Sequence, residues 1–133
     1  MQLVVDANVL FSALITDGFT AELLFEGELK LYTAEFIIDE FLKYKDEILK
    51  KSKRSPESFN GFMHTLQQII TVIPQEEYDV FFEKARDVSP DKRDAAYFAL
   101  ALKLNCAIWS NDKLLKDQEA VKVFSTSEVA QLV

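Results

Sequence analysis

Short apolar runs that read as strands alternate with longer amphipathic stretches that read as helices along the whole chain, and this alternation constrains the fold more than any other feature. Residues 2–5 form an apolar run ending at Asp6, and residues 8–15 carry helical periodicity up to a break at Asp17-Gly18. A short helix over 20–26 is closed by Gly27, and a strand follows over 29–32. A long helix is expected over 34–51, a loop over 53–56, a helix over 57–70, and a strand over 71–73 that Pro74 terminates. Beyond lie a helix over 76–88, a helix opened by Ser89-Pro90-Asp91 and running to Leu104, and a strand over 107–109. A short helix over 112–118, a strand over 121–124 and a terminal helix with Ser125 and Glu128 as its capping box complete the chain.

Strands separated by helices pair in parallel with helices on both faces, an α/β architecture that places its sites at the carboxyl ends of the strands. No repeat, low-complexity stretch or linker divides the sequence, so residues 1–133 are expected to be one domain. A domain of this length buries roughly 70% of its unfolded surface and needs no covalent staple. Cys106 is the lone cysteine, which excludes an intrachain disulfide, and no basic leader precedes the first apolar run; the expected location is the cytoplasm. AAYFALAL is too short to cross a membrane, a span needing about 20 residues. The formal charge of −7 argues against a protein that coats nucleic acid by overall positive charge, while leaving room for a local basic groove.

Four carboxylates sit where apolar elements begin or end: Asp6 in VVDANVL, Glu40 in IIDEFLKY, Asp94 in DKRDAAYFALAL and Asp112 in IWSNDKLL. Asp6 and Asp112 follow strands, at the end where α/β sites form, although Asp also caps helices well and Asn8 competes for that role. At roughly 100° per residue, Ile37, Phe41, Tyr44 and Ile48 make one stripe with Glu40 on its edge and Asp39 nearly opposite, so Glu40 is the one that reaches a cleft. Asp94 shares a helical face with Tyr97, Phe98 and Ala101, which puts it on the buried side. Asp91 reads as an N-terminal cap with a supporting role open to it.

Ionised carboxylates gathered in a poorly solvated cleft repel unless a cation neutralises them. With His64 the one histidine and Cys106 the one cysteine, zinc sites of His and Cys and a Ser-His-Asp triad are excluded. An all-oxygen donor set selects a hard cation, Mg²⁺ or Mn²⁺, whose usual chemistry is on phosphates. No Gly-rich phosphate loop is present, which argues against nucleoside triphosphate hydrolysis.

Taken in order, the strand followed by D-x-N at Asp6 and Asn8, the acidic helix at Glu40, D-x-x-D at Asp91 and Asp94, and S-N-D ending at Asp112 resemble the PIN-domain family over essentially the whole chain. The resemblance implies a three-layer α/β/α sandwich around a mostly parallel five-stranded sheet. It also implies a metal-dependent nuclease acting mostly on RNA, often the toxin half of a type II toxin–antitoxin pair. Carried over by position, Asp6, Glu40, Asp94 and Asp112 would hold Mg²⁺ or Mn²⁺, with Asn8 and Ser110 supporting the site. A small antitoxin and a homodimer are the partners the family implies. One departure is Leu114, where many members carry a further Asp, so a single tightly held ion is the expectation.

Lys92, Arg93 and Lys113 adjoin Asp94 and Asp112 and are the candidate contacts to a nucleic-acid backbone. A second basic run, from Lys43 through Lys45, Lys50, Lys51 and Lys53 to Arg54, reads equally as a solvated helix end. Phe11, Phe25, Phe59 and Phe62 fit either an apolar partner surface or the core. Two other readings remain: a non-catalytic PIN-like module that binds RNA or protein, motivated by Leu114, and an α/β domain phosphorylated on Asp.

Overall fold

In the computed structural model, which describes residues 1–15 and 18–133, the first strand β1 (Gln2–Val5) lies at the centre of the sheet. Leu3, Val4 and Val5 are fully buried because helices cover both faces, the reason an all-apolar run can serve as a central parallel strand. It is followed by α1 (Ala7–Ile15), α2 (Gly18–Leu24), β2 (Lys30–Ala34), α3 (Glu35–Lys43), α4 (Lys45–Ser52), α5 (Pro56–Ile69) and β3 (Ile70–Ile73). Then come α6 (Phe82–Val88), α7 (Ala95–Leu104), β4 (Ala107–Trp109), β5 (Val123–Phe124) and α8 (Thr126–Leu132). The break expected at Asp17 lies outside the described residues.

The five strands run in the order β3-β2-β1-β4-β5 and every pairing is parallel. Leu3, Val4 and Val5 pair with Ala107, Ile108 and Trp109, and β2 flanks the other side with Leu31 opposite Leu3. The alternation in the sequence thus became the parallel α/β sheet it required. α7 is buried without interruption from Ala95 to Ala101. A helix apolar on all sides belongs in the interior, and α7 packs on β1, β2 and α6.

Four expected elements differ in their details. The helix over 34–51 is two helices separated by Tyr44, at φ −101° and ψ 19°. The hydrogen bonds from Tyr44 N to Glu40 O and from Ile48 N to Tyr44 O carry through the kink, so Ile37, Phe41 and Ile48 stay buried and the apolar spacing does not disclose it. Residues 75–81 make two 3₁₀ turns, Gln75–Glu77 and Asp79–Phe81, around the buried Tyr78, whose ring lies 5.6 Å from that of Phe82. The expected helix over 112–118 is a 3₁₀ turn, Lys113–Lys116. The last strand starts two residues late because Gln118 Oε1 accepts from Val121 N while its Nε2 donates to Val121 O, occupying groups a strand would use in its ladder.

Two helix starts are capped, the second as the sequence predicts. Ser55 accepts from Ser58 N ahead of Pro56 at the start of α5, and Ser125 and Glu128 form a reciprocal capping box on α8. Among the described residues, no helix is long and apolar enough to cross a membrane. Phe59 and Phe62 lie in the core, Phe11 packs edge-on to Phe41 at 4.5 Å, and Phe25 is the exposed member of that group.

Candidate functional site

The strand order reverses between β1 and β4: the chain leaves β1 towards β2 and β3 on one side and leaves β4 towards β5 on the other. At such a switch point the connections diverge and open a crevice at the carboxyl ends of the strands. Asp6 follows β1 and Ser110 follows β4, held side by side by Asp6 N donating to Trp109 O at 3.0 Å. Ser110 Oγ donates to Asp6 Oδ2 at 2.6 Å and also accepts from Asp112 N at 3.1 Å. One buried hydroxyl therefore fixes a carboxylate of the first loop to the backbone of the fourth.

The loop that carries Ser110 and Asp112 is anchored to α8. Asn111 accepts from Thr126 N and donates to Thr126 Oγ1, and Trp109 Nε1 donates to the same hydroxyl. Asp112 Oδ1 accepts from Leu114 N at 3.0 Å, so Asp112 does cap the 3₁₀ turn that follows. Asp6 Oδ1 likewise takes the Asn8 backbone N–H, at 3.4 Å. Capping and placement in the crevice coincide in these two residues; each uses one oxygen for its turn.

Asp6 is only 6% exposed. Burial pushes its carboxyl above the ordinary range; hydrogen bonds from Ser110, the Asn8 backbone and Tyr97 pull the other way, and the charge of Asp112 adds to the rise. Asp94, half-buried before the first turn of α7, is pushed up to about 6 by burial and then by the negative charges of Asp6, Asp91 and Asp112. Asp91, by contrast, is held below its usual range by Arg93, whose guanidinium meets it at 2.7 Å and whose backbone N–H donates to it at 2.9 Å. It caps the 3₁₀ turn Lys92–Asp94 that leads into α7, rather than α7 itself, which starts at Ala95.

Glu40 is half-buried on α3 while Asp39 is exposed, as the angular argument required. The buried phenol of Tyr97 ties Glu40 to the others: burial, then Asp6, then Glu40 and Asp94 all raise its pKa. The hydroxyl of Tyr97 accepts from Ala7 N at 3.1 Å, next to Asp6. Tyr97 is not among the site residues the sequence points to, because its spacing marks only an apolar helix face. The available signal was its position three residues after Asp94, since a buried phenol needs a polar partner. Thr33, whose hydroxyl donates to Val5 O at 3.1 Å just before Asp6, was equally unmarked.

Among the described residues, no three side chains of Asp, Glu, His or Cys stand close enough together to hold an ion as they are. The donor set around Tyr97 is nonetheless all oxygen, and the repulsion that adds to burial in lifting Asp94 is the field a cation would relieve. Asn8 is exposed, as are Lys92, Arg93 and Lys113. Lys113 and Lys116 line an open depression of about 270 Å³ with Ser110, Asn111 and Asp112, whereas Arg93 is engaged by Asp91. A larger apolar depression of about 380 Å³, lined by Phe11, Ile15, Tyr44 and Ile48, contains none of the four carboxylates.

Much of the basic run over 43–54 is used internally. Arg54 Nε donates to Leu14 O at 2.7 Å at the end of α1 and its guanidinium lies over Phe62, while Lys45 lies over Phe59 and bonds Asn60. Leu114, where the family often has an acid, is exposed.

A doubly wound parallel α/β fold with Asp6, Ser110 and Asp112 linked at its switch point defines the class. Within that class the chain belongs to the PIN-domain family, whose profile matches residues 4–131. PIN domains are in general nucleases that use divalent metal ions. The fold is similar to a chain in the crystal structure of VapBC2 from Rickettsia felis bound to a DNA fragment from their promoter, with a TM-score of 0.68 over 94% of this chain and 98% of that one at 15% identity. No curated protein matches the sequence significantly.

Proposed function

We propose that the chain is a Mg²⁺- or Mn²⁺-dependent ribonuclease that hydrolyses phosphodiester bonds at the site formed by Asp6, Glu40, Asp94 and Asp112. The observation that carries this reading is the electrostatic coupling of Asp94 to Asp6 and Asp112 near the switch point, whose charges add to burial in lifting Asp94 to about 6. Such an arrangement is unfavourable unless it serves a cation or a proton.

A bound divalent ion would supply a more acidic water and a positive charge opposite the phosphate. Asp6, Glu40, Asp94 and Asp112 would hold it. Ser110 and Tyr97 hold Asp6 in one rotamer, so its free lone pairs keep a fixed direction. Asp94 or Asp6 would orient the attacking water. Lys92 and Lys113, exposed beside Asp94 and Asp112, attract the phosphate backbone, with Arg93 partly neutralised by Asp91.

The fold neighbour is described as VapBC2 bound to promoter DNA, which supports a toxin role with a small antitoxin partner for this chain. A homodimer is the further assembly the family suggests. Incubating the purified chain with mixed-sequence single-stranded RNA, and separately with DNA, in Mn²⁺, Mg²⁺ or chelator tests the reading: cleavage of RNA with the cations and none with chelator is expected. The exposed Leu114 and the spacing of the carboxylates favour a second reading, a binding module without activity. RNA binding without cleavage in any cation would select it.

A further inference from the structure

We infer that Phe36 is a stacking platform for a base of a single-stranded substrate, set at the rim of the carboxylate crevice; the inference rests on the nuclease reading and deepens it. α3 starts directly after β2, so its first turn stands at the carboxyl end of the strand beside β1. Phe36 and Glu40 are one turn apart on α3, and side chains at that spacing share a face. Phe36 is 36% exposed, and its ring centroid lies 6.0 Å from that of the buried Tyr97 at an interplanar angle of 53°. Tyr97 in turn reaches Ala7 N and Asp6. An aromatic surface open to solvent is therefore joined through one ring to the centre of the acidic cluster.

The exposed Tyr44 on the adjoining kink lies near Lys43, 5.4 Å from its ring centroid, whereas Phe36 has no such cation among the described residues. The crevice is rich in negative charge, and a neutral π-face is the kind of contact that adds affinity there without adding repulsion. Bases of any identity stack on an aromatic ring, so the platform adds binding without strong sequence preference. Packing against Tyr97 holds Phe36 ready, which limits the entropy lost on binding.

Fluorescence anisotropy of a short single-stranded RNA, in Mn²⁺ and in chelator, compares the wild type with Phe36→Ala, Phe36→Leu and Phe36→Trp. Loss of one stacked base corresponds to a fall in affinity of roughly 5- to 150-fold. That loss is expected in Phe36→Ala and Phe36→Leu, with near-wild-type affinity in Phe36→Trp and an unchanged dependence on salt, since no phosphate contact is removed. In cleavage, KM should rise by a similar factor with kcat changed little. Wild-type affinity in Phe36→Leu would overturn the platform by reducing Phe36 to packing for Tyr97. Equal RNA affinity in the wild type and Phe36→Ala overturns the platform alone; a wild type that neither binds nor cleaves RNA overturns the nuclease reading with it.

Discussion

Ser110 Oγ and Asp6 Oδ2, separated by 104 positions in the sequence, meet at 2.6 Å between the first and fourth strands. The bond matters because Asp6 is buried and accepts little else from solvent. Ser110→Ala removes the donor and leaves a buried carboxylate short of a partner, so a loss of about 1–3 kcal/mol in urea unfolding at neutral pH is expected. Because that bond lowers the pKa of Asp6, its loss raises the pKa further and moves the acid limb of any activity profile to higher pH. Unchanged stability together with an unchanged profile would contradict this role.

Tyr97→Phe tests the second support of the same carboxylate. The partly buried backbone N–H of Ala7 loses its acceptor, at a cost of about 1 kcal/mol by thermal or urea unfolding. Cleavage should fall while the fold is retained. A variant as stable and active as the wild type would show that the phenol is only core packing.

Asp94 gives the site a pH signature. Its carboxyl sits at about 6 in the folded chain against an ordinary 3.8, so between those values the folded chain keeps a proton that the unfolded chain has lost. Its contribution to stability therefore falls as pH rises from about 4 to about 6. In chelator, Asp94→Asn should abolish that fall and raise the melting temperature at pH 7 by a few degrees, an effect moderated by the partial exposure of the group. Added Mn²⁺ should stabilise the wild type more at pH 7 than at pH 5, since protons compete for the same oxygens. Equal stabilisation at both would contradict the assignment.

How much of this was legible in the sequence follows from what each signal encodes. Apolar alternation encodes which segments are buried, so the parallel sheet, its helices and the position of Asp6 after β1 could be read. The same signal is blind to a one-residue kink at Tyr44 and to the 3₁₀ turns around Tyr78, where burial continues through a change of backbone path. Asp6, Asp94 and Asp112 were visible because an acid at an apolar boundary is costly. Tyr97 and Thr33 were not, because each looks like core until its hydroxyl finds a partner on another element. The engagement of Arg93 by Asp91 was hidden for a related reason: sequence places charges side by side without saying which of them pair.

Neutralising each basic cluster in turn distinguishes the two paths open to a nucleic-acid backbone. Lys92→Ala and Lys113→Ala should each lessen the salt slope of RNA binding by about one. Arg93→Ala should do less, its charge being shared with Asp91. Arg54→Ala, which loses the contact to Leu14 O at the end of α1, should lower stability without altering that slope. A reduced slope in Arg54→Ala with none in Lys92→Ala would move the nucleic-acid path to the other basic run.

On the proposed reading, one cation, held by carboxylates that repel one another without it, enables the chain to cut RNA. Titrating Mn²⁺ into wild type and Asp94→Asn, with bound ion and single-stranded RNA cleavage read in the same samples, tests it most directly. Cleavage should rise with occupancy of the ion in the wild type, and Asp94→Asn, still folded, should lose both together. Cleavage that persists in chelator, or that survives undiminished in Asp94→Asn, would contradict it.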